Sequence, residues 1–475
     1  MTVTRLKFSC LVLATLMVLS SQESFAEDQE YTFFNSIKDG KSLSSERLRY
    51  ESVYQDSFQP PPNGSKKLDN AHAFTARTLL GWQTAPFHNF SFAFQITDVH
   101  DFNDNFNNRR ANIGSPDKAN YPNIVDPSYT DINQLYVDWT GIKNTKLRIG
   151  RQQINLDNVR FIGDVGFRQD MQVFDGFSVL NKSIPDTELY AGYFSRVRQV
   201  NTALRDTDIF MLNAKYRISP TESLIGYGYL IDAPNLSQNG GNPTAINTAP
   251  QGGNGLGGNS DLKPSATNFK PNETDASNKI FGLRLDGVHP INPDFKVLYT
   301  AEYAKQTDYK NGSNLIDANY YRVGGGAIYD IFSLRIDHEV LASNNGMYAF
   351  QTPLGTNHLF QGWADHFLVT PRQGIKDTFL TAAVSIEKAK ILAEYHVFKS
   401  DEKFQTLGFT STNLVYGNKY GTEYDISAAY PFTDQLSGKL EYARFNEDDV
   451  YGTTLKAASR KGDKEIIWAT ALYTF

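Results

Sequence analysis

One cysteine, Cys10, is all the thiol this chain has. It lies in the N-terminal segment, so no disulfide scaffold or Cys-ligated metal centre is available to the rest. Long hydrophobic runs are missing too. No stretch reaches the roughly 18 consecutive apolar residues of a membrane-spanning helix. Basic residues are in the minority, 46 Lys and Arg against 52 Asp and Glu, which argues against nucleic acid as a partner. Enzyme motifs are absent: there is no HExxH, GxSxG or GxxxxGK. The eight histidines are scattered. His358 and His366, with Asp365, share one loop, but their spacing fits no tight ligand pattern. No cofactor, metal or catalytic residue is therefore expected.

Aromatics and glycine are plentiful, with 26 Tyr, 32 Phe and 35 Gly, at a mean hydropathy of −0.43. That mixture suits many aromatic-rich strands and polar loops better than a helical core. The first 26 residues read as a cleaved export signal. Arg5 and Lys7 precede the apolar run Phe8–Leu19, and Ser24-Phe25-Ala26 offers a cleavage site. Cys10 begins that run rather than ending it, which argues against a lipoprotein signal. The formal net charge of −6 becomes slightly more negative once Arg5, Lys7 and Glu23 are lost.

From residue 45 onward an alternating pattern recurs. Leu48, Tyr50, Ser52 and Tyr54 share one face of a strand, and Arg47, Arg49 and Glu51 share the other. Phe74, Ala76, Thr78, Leu80 and Trp82 oppose Arg77. Phe90, Phe92, Phe94 and Ile96 oppose Ser91, Gln95 and Thr97. About 18 such runs can be counted. Short connections (84–87, 141–144, 181–185, 219–222, 287–293, 329–331, 387–388, 431–434) alternate with long ones (55–70, 101–129, 155–169, 197–206, 232–277, 307–316, 341–376, 400–419, 446–464). A propeller or large sandwich would also have many strands, but neither requires loop lengths to alternate. The fold class expected is all-β: a closed antiparallel up-and-down transmembrane β-barrel, forming one domain over 27–475. Its partners would be outer-membrane lipid and, from the aromatic last residue Phe475, the barrel-assembly machinery. Residues 235–259, rich in Gly and Asn, suit a mobile outer loop. The segment at about 342–375 is a constriction or cap loop, its placement open.

By alternation Arg47, Arg49, Arg77, Arg148, Arg284 and Arg335 face a lumen. Arg151, Arg160 and Arg168 flank or occupy the charged loop between two strands at 146–176. A ring of permanently charged guanidinium groups would attract anions. Glu51, Asp138, Asp286, Asp337, Glu302 and Glu441 also point inward and could instead neutralise them.

The stretch GRQQINLDNVRFIGDVGFRQDMQVFDG (150–176) resembles the signature of the alginate export family of outer-membrane porins. So do NAHAFTARTLLGWQ (70–83), TAEYAKQ (300–306) and the QTPLGTNHLFQGWADHFLVTP core of 350–373. Phe167 stands where relatives tend to carry Trp, and Val159 where a polar residue is common; neither removes a charge. The resemblance implies a monomeric 18-strand barrel in the outer membrane of a Gram-negative cell. Its pore would be electropositive and take a uronate polysaccharide. Arg148, Arg151, Arg160 and Arg168 are then the first candidates for anion selectivity. The alternatives are an uptake porin for other small solutes such as aromatic acids, an outer-membrane enzyme, and a non-conducting structural barrel.

Overall fold

The computed structural model describes residues 31–57, 67–108, 118–233, 275–407, 414–448 and 461–475. The export signal at 1–26 and the Gly/Asn-rich segment at 235–259 lie outside the described residues. Alternating side chains make each run a strand with one apolar and one polar face, and neither face alone is stable in water. Pairing them edge to edge gives a single antiparallel sheet that closes on itself. In chain order its strands are Ser45–Ser57, Ala71–Gln83, Phe90–Asp101, Tyr129–Trp139, Thr145–Gln152, Val173–Asn181, Thr187–Arg198, Leu204–Ser219 and Glu222–Asp232. Then follow Asn278–Pro290, Phe295–Asp308, Asp317–Tyr329, Phe332–Leu341, Ile375–Ile386, Ala389–Leu407, Leu414–Pro431, Leu436–Glu447 and Lys461–Thr474. Each strand pairs with its chain neighbours, and the first pairs with the last in the register Leu48↔Ala471 and Tyr50↔Ala469. The result is the expected closed barrel of 18 strands. A short additional strand, Lys41–Ser42, lies against the end of Ala71–Gln83.

Closure follows from the solvent. Within hydrocarbon an unpaired backbone group costs several kcal/mol, so an open sheet edge is not tolerated. The outer wall carries exposed apolar side chains, among them Leu80, Leu212, Leu283 and Ile336, with Ile149 at 66% and Leu440 at 62% exposure. Such values on so many large side chains mark a lipid-facing belt. Trp82, Phe90, Tyr329, Phe332, Phe432 and Phe475 cluster near the short turns, where an aromatic girdle belongs. Among the described residues no helix is long and apolar enough to cross a membrane.

Tight turns at 84–89, 140–144, 182–186, 220–221, 291–294, 330–331, 387–388 and 432–435 occupy one end. A one-and-a-half-turn helix, Phe33–Lys38, packs there: the Trp82 indole donates to Ile37 O at 2.8 Å and the Ala85 amide to Ser36 O at 2.8 Å. One connection expected to be long, 197–206, is short, and another is reduced by longer strands. The chain turns at 199–203, and within the expected 400–419 connection Ala389–Leu407 and Leu414–Pro431 go on pairing as far as Leu407↔Leu414. The ladder continues there although the apolar–polar alternation that reveals a strand in sequence fades.

Gly150 has φ of 130°. A Cβ there would stand 2.2 Å from Leu135 O and 2.8 Å from Tyr136 Cα. Only glycine fits this bend, which turns the chain toward the loop that follows. Gly150→Ala is expected to destabilise the barrel by at least about 2 kcal/mol. A urea titration of the liposome-folded protein, read by tryptophan fluorescence, checks this; an unchanged midpoint would show that the wall yields.

Candidate functional site

Two of the long connections, 153–172 and 342–374, fold into the lumen and pack on each other. Each is held by an aromatic anchor. Phe161 inserts among Tyr227, Tyr320 and Phe350, with centroids 5.3, 5.1 and 5.8 Å away. Phe367 packs against Phe398, Tyr420 and Phe445 of the wall. Between the loops, Phe167 stacks on His358, and both meet the buried Trp468 edge-on. These rings gain stability by leaving water, at roughly 1.5–3 kcal/mol per fully buried large side chain.

Buried ion pairs set the loops' position. Arg160 is 1% exposed and pairs with the equally buried Glu339 of the wall at 2.9 Å. Its remaining nitrogens donate to Asn357 Oδ1 at 3.0 Å and Gln361 Oε1 at 2.8 Å in the second loop. Gln361 in turn donates to Glu339. Arg168 is the second hub. It reaches Glu51 at 3.1 Å on the wall, Asp365 at 2.9 Å on the second loop, and Asp126 at 3.8 Å. His358 Nδ1 lies 2.9 Å from Asp365. The loop tip caps two wall carboxylates: the Ala364 amide donates to Glu423 at 2.6 Å and the Trp363 amide to Asp425 at 3.3 Å. Val159 and Val165 hold φ of 58° and 52°. β-Branched residues adopt that region only where their surroundings impose it.

Each arginine singled out in the sequence can now be placed. Arg148 pairs with Asp138 at 2.6 Å and lies 3.6 Å over the Tyr136 ring. Arg151 bridges Asp175 and Asp131 at 2.7 and 3.1 Å. Arg284 meets Asp286 at 3.2 Å and Glu302 at 4.0 Å. Arg335 shares Asp337 with Arg322. Glu441 is taken by Lys439 at 2.6 Å. With Arg160 and Arg168, six of the nine arginines are neutralised by carboxylates.

Arg47, Arg49 and Arg77 differ. They sit side by side on the first two strands, with Arg47 and Arg77 in direct register. Arg47 donates to Gln169 Oε1 at 2.7 Å, to Gly166 O at 2.8 Å and to Arg168 O. Arg49 donates to Phe167 O at 2.6 Å and Thr470 Oγ1 at 3.3 Å. Arg77 leaves Nε without a hydrogen-bond partner. Arg47 and Arg49 donate to neutral oxygens, and Arg49 also lies 4.4 Å over the Phe167 ring; among the described residues none of the three forms an ion pair. No carboxylate pairs with them where the first loop touches the wall, although Asp126 acts on all three from farther off.

Sequence reasoning missed Glu339, Asp170 and Arg198. Arg198 is a 1%-exposed group joining Asp170 at 3.0 Å and Asp131 at 2.9 Å. Glu339 was legible in principle, since it continues the inward series Arg335, Asp337. Asp170 carried no signal, because loop residues have no face to alternate.

An 18-strand barrel with a lipid-facing belt, a charged lumen and inward loops is an outer-membrane channel of the porin type. The family model described as alginate export matches residues 45–193, which include the whole 153–172 loop. That agrees with the resemblance read from the motif. Among solved structures the chain is similar to OpdL of Pseudomonas aeruginosa, at 13% identity and TM-score 0.59 over 92% of this chain and 99% of that one. It is also similar to OccK9 (OpdG) of Pseudomonas aeruginosa, at 12% and 0.60 over 92% and 98%. A third is OccAB2 of Acinetobacter baumannii, at 14% and 0.59 over 91% and 98%. At such identities the likeness is one of fold. No curated protein matches the chain.

Removing one partner of a buried pair leaves an uncompensated charge, at about 3–5 kcal/mol. Arg160→Ala is therefore expected to release both loops, raising single-channel conductance and exposing 342–374 to protease. Arg160→Ala/Glu339→Gln should recover part of the wild-type behaviour, since it removes the stranded charge. Unchanged conductance in the single variant would mean that the aromatic anchors suffice.

Burial pushes the Asp365 carboxyl up, but His358 and Arg168 outweigh it and hold it below the usual carboxylate range. A depressed folded value contributes stability above the unfolded value of about 3.9, lost as pH falls through the folded one. Conductance is thus expected to stay level from neutral pH to about pH 4 and to rise only in stronger acid. Asp365→Asn should abolish that acid step in bilayer recordings.

Proposed function

We propose that this barrel carries anionic saccharides of the uronate type passively across the outer membrane. The observation that carries the reading is the trio Arg47, Arg49 and Arg77, none of which forms an ion pair among the described residues. In a lumen where six other arginines are paired with carboxylates, three adjacent fixed cations leave a local positive field that favours carboxylates. Guanidinium groups cannot lose that charge at any physiological pH. The match to the alginate export family over 45–193 supports the same reading. One chain closes the ring, so the proposed working unit is a monomer, with 27–475 as a single barrel domain.

A second reading is favoured by the two inward loops. Ion pairs and stacked rings between 153–172 and 342–374 narrow the lumen. A passage so braced suits short oligomers or small carboxylates, such as aromatic acids, better than a polymer thread. Polymer passage would require the Arg160 and Arg168 contacts to open.

Planar-bilayer recording tests both. Wild type is expected to prefer chloride over potassium and to be blocked by oligouronates. Replacing Arg47, Arg49 and Arg77 by Gln should lower that preference roughly threefold, equivalent to about 0.6 kcal/mol. A cation-preferring wild type, indifferent to oligouronates, would sink the saccharide reading. Block by benzoate-class acids and not by uronates would select the second.

A further inference from the structure

A few strands round the ring from the arginine trio, three neighbouring strands bring four carboxylates around one histidine. His396 lies on Ala389–Leu407, directly across from Phe379 on one side and Glu423 on the other. Its Nδ1 is 2.9 Å from Asp377 Oδ2. Its Nε2 points at Glu394 Oε2, 3.7 Å away, and Asp425 Oδ2, 3.6 Å away. Those separations are too long for hydrogen bonds, and Nε2 has no hydrogen-bond partner. Asp425 Oδ1 and Asp377 Oδ1 have none either. The imidazole is 3% exposed and Asp425 fully buried, while Glu394 at 15% keeps contact with the lumen. Phe379 and Phe398 stack on both faces of the ring at 4.8 and 5.4 Å, which fixes its plane.

Buried polar atoms are normally satisfied, so an unpaired nitrogen facing two carboxylates calls for a cation. The candidate ligand atoms of Glu394, His396 and Asp425 all lie within 4.8 Å of one another. Donor atoms about 2.1 Å from a tetrahedrally held ion are roughly 3.4 Å apart, close to the spacings found. Asp377 supplies the other half of the arrangement: a carboxylate on Nδ1 sets the tautomer that leaves the Nε2 lone pair outward.

We propose that Glu394, His396 and Asp425 form a binding site for a divalent transition-metal ion of the zinc type, with Asp377 positioning the histidine. One imidazole and two carboxylates suit Zn²⁺ or its neighbours better than Ca²⁺ or Mg²⁺. Coordination positions left by three protein ligands open toward the lumen past Glu394. Asp425 also accepts the Trp363 amide of the inward loop, so the ion would sit at the foot of that loop.

The test uses the full chain folded in detergent micelles, stripped with chelator and desalted. Titration with ZnCl₂ by calorimetry is expected to give one ion per barrel. Affinity should fall at least tenfold in His396→Gln and Asp425→Asn, and 10- to 100-fold in Asp377→Asn. His338→Gln, on a neighbouring strand, should bind as wild type. Heat-modifiable gel mobility verifies that each variant is folded. Cobalt substitution of the wild type, which needs no variant, should give the visible absorption of a low-coordinate nitrogen–oxygen site. Absence of stoichiometric zinc, or zinc binding unchanged in folded His396→Gln, would overturn the site.

Discussion

Every backbone amide and carbonyl in hydrocarbon must find a partner within the protein. The architecture descends from that constraint. It forces the eighteenth strand back onto the first, through pairs such as Leu48↔Ala471. It also frees side chains to be sorted by solvent alone, apolar outward and polar inward. A sheet wound this wide leaves a lumen that its own wall residues cannot fill. Two connections enter that space, and the charged wall becomes their binding surface.

The lumen is therefore a second core, built largely from ions. Arg160 and Arg168 each join a loop to the wall and to the other loop, through Glu339, Glu51 and Asp365. Buried ion pairs contribute little net stability, because desolvation offsets most of the attraction, yet breaking one is expensive. Such contacts suit placement: they choose one loop geometry over others of similar packing. Aromatic anchors at Phe161 and Phe367 supply the cohesion. Within this arrangement an arginine's functional meaning depends on its partner. Arg148 has Asp138, whereas Arg47 has only neutral oxygens. Two residues of one type, both inward, thus differ in the field they offer a passing anion.

The barrel itself was legible in the chain because strand period, outward aromatics and alternating connection lengths are local properties. Leu80 and Trp82 opposing Arg77 is a statement about neighbours two residues apart. Inward placement of Arg47, Arg49 and Arg77, and of Glu51 and Asp138, followed from the same period. The extension of the pairing to Leu407↔Leu414 was not legible, because the apolar–polar alternation that marks a strand fades there.

What only the tertiary structure decided is which charges meet. Arg160 finds Glu339 and Arg168 finds Asp365, across separations in sequence that no periodicity spans. Loops carry no face, so nothing local says whether 153–172 and 342–374 stand above the pore or enter it. Ring closure, set by the number of strands, determines how much room lies inside and which walls the loops can reach. The sequence by itself determined a membrane barrel lined with arginines. The closed ring decided that six of the nine singled out are neutralised and that three are not.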